Sequence, residues 1–265
     1  MQTINIGDNM NILITGAASG IGYDTGVKLA KMGYHVFLTT EDDTQLEVLR
    51  EKVNKINNIG TFRLNLTKKE DRKLLENFDV DILISNAAIG QGGSILDIDM
   101  KKIRECYDVN LFYNVEIIKT VLKNMIKKEN GKIIVISSIL SNISLPFFGI
   151  YASSKASLSS LCLSLKKELK LVDKNIKLKI VEPGIYKTGF NRFMIDNSNV
   201  NKYYLFNKSI EDLEKELLNF IGKEKTNTIV NKIVQAVKDN TNKTIYRAPI
   251  LHNIALKFYI KFIKK

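Results

Sequence analysis

"NILITGAASGIGYDTGVKLAKMG", residues 11–33, joins three local patterns in one short stretch. Asn11 to Thr15 is an apolar run without polar alternation, as expected of a strand buried on both faces. Glycines follow at Gly16, Gly20 and Gly22, and from Tyr23 the apolar residues recur at helical spacing until Gly33 closes the segment. A strand feeding a glycine-rich turn and then a helix can receive a pyrophosphate. The glycines permit a tight turn and close backbone approach, and the helix N-terminus offers N–H donors and a partial positive charge. A loop that only reverses the chain would use the same glycines, so the rest of the sequence decides.

Working outward, the alternation continues. "YHVFLTT" (34–40) reads as a strand and "DDTQLEVLREKVNKI" (42–56) as a polar helix. Then come "GTFRLNLT" (60–67), a helix around 68–77, "VDILISNAAIG" (80–90) and a long helix from about 99 to 128. "GKIIVISSI" (131–139), a helix following Tyr151 and "IKLKIVEPG" (176–184) complete the series. Short apolar runs separated by helices predict an α/β fold with a doubly wound parallel sheet, the Rossmann arrangement. Beyond about residue 187 the alternation stops in an Asn-rich stretch, followed by helices at 210–221 and 228–239 and a strand and turn at 243–250. With no internal repeat or linker, residues 1–265 are expected to form a single domain: cofactor and catalytic elements 11–188, a variable lid 189–245 and a tail 246–265.

The 45% hydrophobic content suffices for a full core, and a net charge of +12 would suit an acidic partner. Lys, Ile and Asn are abundant throughout, so compositional bias accounts for part of the basicity. No Arg-rich block with interleaved aromatics is present, which argues against nucleic acid. Cys106 and Cys162 lie in apolar helical contexts without metal-ligand spacing, so no metal is expected and the thiols read as reduced core residues of a cytoplasmic protein. The N-terminus lacks a signal-peptide pattern, and no apolar run approaches the ~20 residues of a spanning helix.

"GIYASSKASLSSL" (149–161) places Tyr151 four residues before Lys155, on one helix face. By itself the pair is an ordinary solvated face far more often than a catalytic device. Ser138 lies thirteen residues before Tyr151 at the end of an expected strand, where sites of doubly wound sheets collect, with Ser137 as its competitor. Asn110 sits inside the long helix, where it reads either as a satisfied polar residue or as a functional one.

Together, "TGAASGIG" (15–22), "RLNLT" (63–67), "SNAAIG" (85–90), Asn110, Ser138, the Tyr151–Lys155 pair and "EPGIYKT" (182–188) resemble the short-chain dehydrogenase/reductase family over residues 11–190. The resemblance implies an NAD(P)-dependent oxidoreductase that interconverts an alcohol and a carbonyl by hydride transfer. Tyr151 would exchange the proton and Lys155 would lower its pKa and reach the cofactor ribose. Ser138, selected over Ser137 by the family's spacing, would orient the substrate oxygen, and Asn110 would bend its helix and hold a relay water. The cofactor would contact Gly16, Ser19, Gly20, Ile21 and Gly22 at the pyrophosphate, and Asn65 and Leu66 at the adenine, with Asn65 using its amide oxygen. Asn86, Ala87 and Ala88 would support the nicotinamide ribose, Ala88 standing where the family has glycine. Pro183, Gly184, Ile185 and Thr188 would cover the nicotinamide. Thr40 and Glu41 fall where the adenosine ribose is read. A carboxylate there would repel a 2′-phosphate, so Glu41 leans the choice between NAD and NADP toward NAD, although Glu41 to Asp43 also suit a helix start.

The resemblance further implies a homodimer or homotetramer through the helices at 100–128 and 151–171. Phe190, Phe193, Tyr203, Tyr204 and Phe206 either line a lipophilic pocket or pack the lid. In the tail, Lys257, Lys261, Lys264 and Lys265 share one helical face opposite Leu251, Ile254, Phe258 and Phe262, a pattern for peripheral membrane contact or for docking on protein. The alternative to an enzyme of small-molecule alcohols and carbonyls is a non-catalytic dinucleotide-binding or membrane-associated scaffold of the same fold. A sugar epimerase fits less well, because such chains carry a larger substrate domain.

Overall fold

The computed structural model describes residues 10–172, 174–186, 190 and 226–248. Seven parallel strands form one sheet: β1 (Asn11–Ile14), β2 (His35–Thr40), β3 (Ile59–Arg63), β4 (Ile82–Ser85), β5 (Asn130–Ile136), β6 (Asn175–Pro183) and β7 (Ile245–Ala248). Their order, β3-β2-β1-β4-β5-β6-β7, winds outward in both directions from β1. The chain order therefore reverses between β1 and β4, where doubly wound sheets open a crevice beyond the strand ends.

β1 shows why the apolar runs lack alternation. Ile12 and Ile14 join the core on one face, with α1 (Gly20–Ala30) and α7 (Asn227–Lys238), while Leu13 joins the core on the other, with α5 (Asn114–Lys127) and α6 (Gly149–Leu169). All three side chains are fully buried, each worth roughly 1.5–3 kcal/mol relative to exposure. A polar residue at any of them would meet a closed apolar layer.

The remaining described helices are α2 (Asp43–Val53), α3 (Lys69–Lys73) and α4 (Met100–Tyr107). The Asp42 side chain caps α2 by accepting from the Gln45 N–H at 2.7 Å. The long helix expected at 99–128 is interrupted: a π-helical segment, Asp108–Tyr113, separates α4 from α5. The helix expected to follow Tyr151 instead begins at Gly149, so Tyr151 lies in its first turn. The helix expected at 210–221 and the tail beyond Ala248 lie outside the described residues.

Candidate active site

A cleft of about 460 Å³ opens at the carboxyl ends of the strands. Its phosphate end is the turn between β1 and α1, lined by Gly16, Ser19, Gly20, Ile21 and Gly22. Ser19 is the N-cap of α1, extended at φ −161°, and its side chain makes no cap hydrogen bond. The first-turn N–H groups of α1, which lack intrahelical acceptors, therefore stand toward the cleft for an anionic ligand. Gly16 adopts φ +64°, and a Cβ there would lie 2.7 Å from Ala87 Cα, so both conformation and space demand glycine.

That close approach is fixed by hydrogen bonds between the first turn and the loop after β4. The Thr15 hydroxyl accepts from the Asn86 and Ala87 N–H groups, both at 3.0 Å. The Asn86 amide donates back to the Thr15 and Gly16 carbonyls at 2.9 and 2.8 Å. Asn86, Ala87 and Ala88 consequently form the cleft wall opposite the glycine turn.

At the far end of the turn the expectation for Thr40 fails. Thr40 is 1% exposed and donates to the Asp42 carbonyl at 3.1 Å, so it does not line the cleft. Glu41 does, together with Gln45, one turn into α2, which sequence reasoning missed. Asn65 and Leu66 line the neighbouring wall, but the Asn65 amide oxygen already accepts from the Thr67 N–H and hydroxyl at 2.9 and 2.7 Å. The Asn65 side chain thus builds the local turn instead of offering an uncommitted acceptor.

Ser138, Tyr151 and Lys155 converge at the other end of the cleft, beside Pro183, Gly184 and Ile185. Ser138 neighbours the Tyr151 phenol, and its hydroxyl accepts from the Leu140 N–H at 3.1 Å. Ser137 instead pairs with Ser159 at 2.6 Å, so the serine that reaches the tyrosine is Ser138. Burial holds the Tyr151 phenol above its ordinary pKa, and the neighbouring Ser138 hydroxyl offsets part of that rise. The Lys155 ammonium donates to the Ile136 carbonyl at 2.9 Å, and burial brings its pKa down to about 8.

Around Tyr151 the wall is apolar: Leu140, Ile143, Leu145 and Phe148 pack with it, and the Phe190 ring centre lies 5.5 Å from that of Tyr151. Thr188, Phe193, Tyr203, Tyr204 and Phe206 fall outside the described residues.

Asn110 is fully buried and stands behind the cleft wall. Its amide clamps Ile89 through both backbone groups, donating to the carbonyl at 2.9 Å and accepting from the N–H at 2.8 Å. It also donates to the Ser154 hydroxyl at 3.0 Å, which donates to the Tyr151 carbonyl at 2.7 Å. Asn110 thereby links the loop after β4 to the helix that carries Tyr151. Asn114, which sequence reasoning missed, repeats the device one turn later, donating to the Ala87 and Val109 carbonyls at 3.1 and 2.7 Å. The signal lay in the sequence as two asparagines four apart in an otherwise apolar helix.

A nicotinamide dinucleotide fits these residues, since a glycine turn with uncommitted helix N–H groups serves a pyrophosphate and a buried hydroxyl pair serves a carbonyl oxygen. Among the described residues no cluster of His, Cys, Asp and Glu could hold a metal ion.

Comparison with known proteins points the same way. The family profile described as short chain dehydrogenase matches residues 10–199. The 3-ketodihydrosphingosine reductase of Bacteroides thetaiotaomicron is 31% identical over 230 residues, covering 84% of this chain and 82% of that protein. A short-chain dehydrogenase/reductase of Burkholderia phymatum, solved with NAD, superposes with a TM-score of 0.81 at 19% identity, covering 97% of this chain and 95% of that one. A short-chain dehydrogenase of Sphingobium yanoikuyae, solved with NADPH, gives 0.74 at 20% identity, with coverages of 97% and 94%.

Proposed function

Because this chain belongs to the short-chain dehydrogenase family, we propose that it acts at the cleft as an alcohol and carbonyl oxidoreductase in which Tyr151 exchanges the substrate proton. The observation that carries the reading is the convergence of Ser138, Tyr151 and Lys155 on one end of the cleft. When bound, the nicotinamide supplies or accepts the hydride. Ser138 orients the substrate oxygen, and Tyr151 donates the proton to a carbonyl or takes it from an alcohol. Lys155 lies on the same helix face, where its charged form favours the phenolate during proton removal. Asn110 is a positioning residue, acting through Ile89 and Ser154.

The glycine turn, Asn86 to Ala88, and Pro183 to Ile185 hold the dinucleotide, with Thr188 completing the set. Glu41 favours NAD over NADP, since a carboxylate beside a 2′-phosphate is repulsive. The expected substrate is lipophilic. Leu140 and Phe190 line the cleft beside Tyr151 without a charge, and the Bacteroides relative reduces a sphingosine-type ketone by name. Phe112 and Leu161, 57% and 39% exposed, support a homo-oligomer through the 100–128 and 151–171 helices. Two free, buried cysteines agree with the cytoplasm, and no described helix is long and apolar enough to cross a membrane. Peripheral membrane contact by the tail remains part of the proposal.

The test is titration with NADH and NADPH, followed by a panel of long-chain and short-chain ketones monitored through reduced-nicotinamide absorbance. Tighter NADH binding and turnover confined to the long-chain ketones are the expected results. Preference for NADPH, or for small polar ketones, would overturn the corresponding part of the reading.

A further inference from the structure

A second cleft, of about 160 Å³, lies between the end of α6, the first half of β6 and the loop joining α7 to β7. Six lysines line it: Lys166, Lys170, Lys174, Lys177, Lys179 and Lys243. Six residues of strand, roughly 20 Å, separate Lys177 from Pro183 at the dinucleotide cleft, so the two sites occupy opposite ends of β6. β7 pairs with Ile180 to Pro183, so among the described residues no strand pairs with the Lys177 stretch of β6 on that side.

The lysines divide by what they already hold. Lys179, 1% exposed, donates to the Thr241 and Lys243 carbonyls at 2.5 and 2.7 Å, and Lys166 donates to the Asn242 carbonyl at 2.7 Å and to the Thr244 hydroxyl. These bonds fix the loop as a rigid rim. Lys174 pairs with Glu129. Asp239 lies 3.9 Å from Lys179, but it already accepts from the Tyr246 hydroxyl and the Thr241 N–H. Lys170, Lys177 and Lys243 make no ion pair with any described carboxylate, and Lys243 stands 4.8 Å over the Tyr246 ring.

Like charges gathered this closely repel one another. Burial is the main reason the Lys166 and Lys179 ammonium groups hold their protons less tightly than usual. Repulsion from Lys170 and Lys177 adds to it at Lys166, while at Lys179 the attraction of Asp239 opposes it ahead of the repulsion from Lys166, Lys177 and Lys243. Lysines do guard open sheet edges, but edge protection requires neither a cavity nor a rim built by two further lysines.

We propose that this cleft is an anion site for a phosphate group, borne by a soluble phosphoester or by a lipid headgroup. Lys170, Lys177 and Lys243, none of them ion-paired with a described carboxylate, can each donate to a phosphate oxygen, and a dianion would relieve the repulsion among them. The site rests on the fold alone and is independent of the reaction proposed for the other cleft.

The experiment is thermal unfolding of the full chain, saturated with NADH, in inorganic pyrophosphate and in sodium chloride of equal ionic strength. Pyrophosphate at about ten times its dissociation constant should raise the melting midpoint by roughly 3–5 °C above the chloride control. The Lys170→Ser/Lys177→Ser chain should lose that shift while its NADH titration stays unchanged. Lys243→Ser, a second variant on the opposite wall, should weaken pyrophosphate binding by calorimetry several-fold. Equal shifts in pyrophosphate and chloride, or a full shift in the double variant, would overturn the proposal and leave the lysines as edge guards. Flotation with phosphatidylcholine vesicles, with and without phosphatidylglycerol, identifies the source. Retention on the anionic vesicles that the double variant loses assigns a headgroup, and a pyrophosphate shift without such retention assigns a soluble phosphoester.

Discussion

Tyr151 and Ser138 gain their meaning from burial. A phenol in an apolar wall stays protonated, which suits a donor to a carbonyl, and Ser138, lining the cleft beside it, is the residue proposed to orient the substrate. Ser138→Ala is expected to lower kcat/KM by about 100-fold with little change in NADH affinity, read by steady-state kinetics beside a fluorescence titration. Lys155 sets a pH limit. Burial brings its pKa down to about 8, so the ammonium form is lost above that value and kcat/KM for the cofactor should fall as pH rises through about 8. A profile flat to pH 10 would contradict the role given to its charge. The Tyr151–Lys155 spacing was legible because it depends on helix geometry alone. Thr40 was misread for the opposite reason: whether a residue at a strand end faces the cleft depends on where the chain turns, and the Thr40 hydroxyl turns back to Asp42.

At the scale of elements, two connections hold the cleft to shape: the Thr15–Asn86 exchange beneath the glycine turn, and the asparagines of the π-helical segment and α5. Gly16→Ala would force φ +64° on a residue with a Cβ and drive that atom into Ala87. NADH affinity is expected to drop by about 5- to 30-fold, since strain of roughly 1–2 kcal/mol falls on the turn proposed to bind the pyrophosphate. Asn114→Leu leaves the Ala87 and Val109 carbonyls without their donor, a loss of about 1–3 kcal/mol that urea unfolding would detect. The π-helical turn itself was not legible. A period of 3.6 describes the apolar stripe on either side of Asp108–Tyr113, and the wider turn arises only where Asn110 reaches across to Ile89 and Ser154.

For the whole molecule, a doubly wound parallel sheet was readable from apolar runs buried on both faces, and the strands wind outward in both directions from β1. The buried lysines were not readable, because Lys132, between Gly131 and Ile133, and Lys179, between Leu178 and Ile180, carry nothing local that distinguishes an inward ammonium from a solvated one. They leave a signature in stability. Burial lowers Lys132 and Lys155 to about 8, so below pH 8 both are charged in the folded chain at a cost. Between about 8 and 10.4 the unfolded chain binds more protons and stability rises with pH by up to about 1.4 kcal/mol per pH unit for each lysine. Cys162, raised to about 12, opposes this above pH 9, so the rise is cleanest between 8 and 9. Lys132→Met should flatten it in urea titrations, and an unchanged slope would count against the burial of that charge.

The central claim is that one phenol, buried beside Ser138, carries the proton of a hydride-transfer reaction. The most direct measurement is oxidation of NADH by a long-chain ketone with the parent chain and with Tyr151→Phe, each titrated with NADH in parallel. The account predicts turnover by the parent and a loss of at least about 100-fold in the variant, with NADH affinity within a few-fold of the parent. A variant that turns over at the parental rate would contradict it.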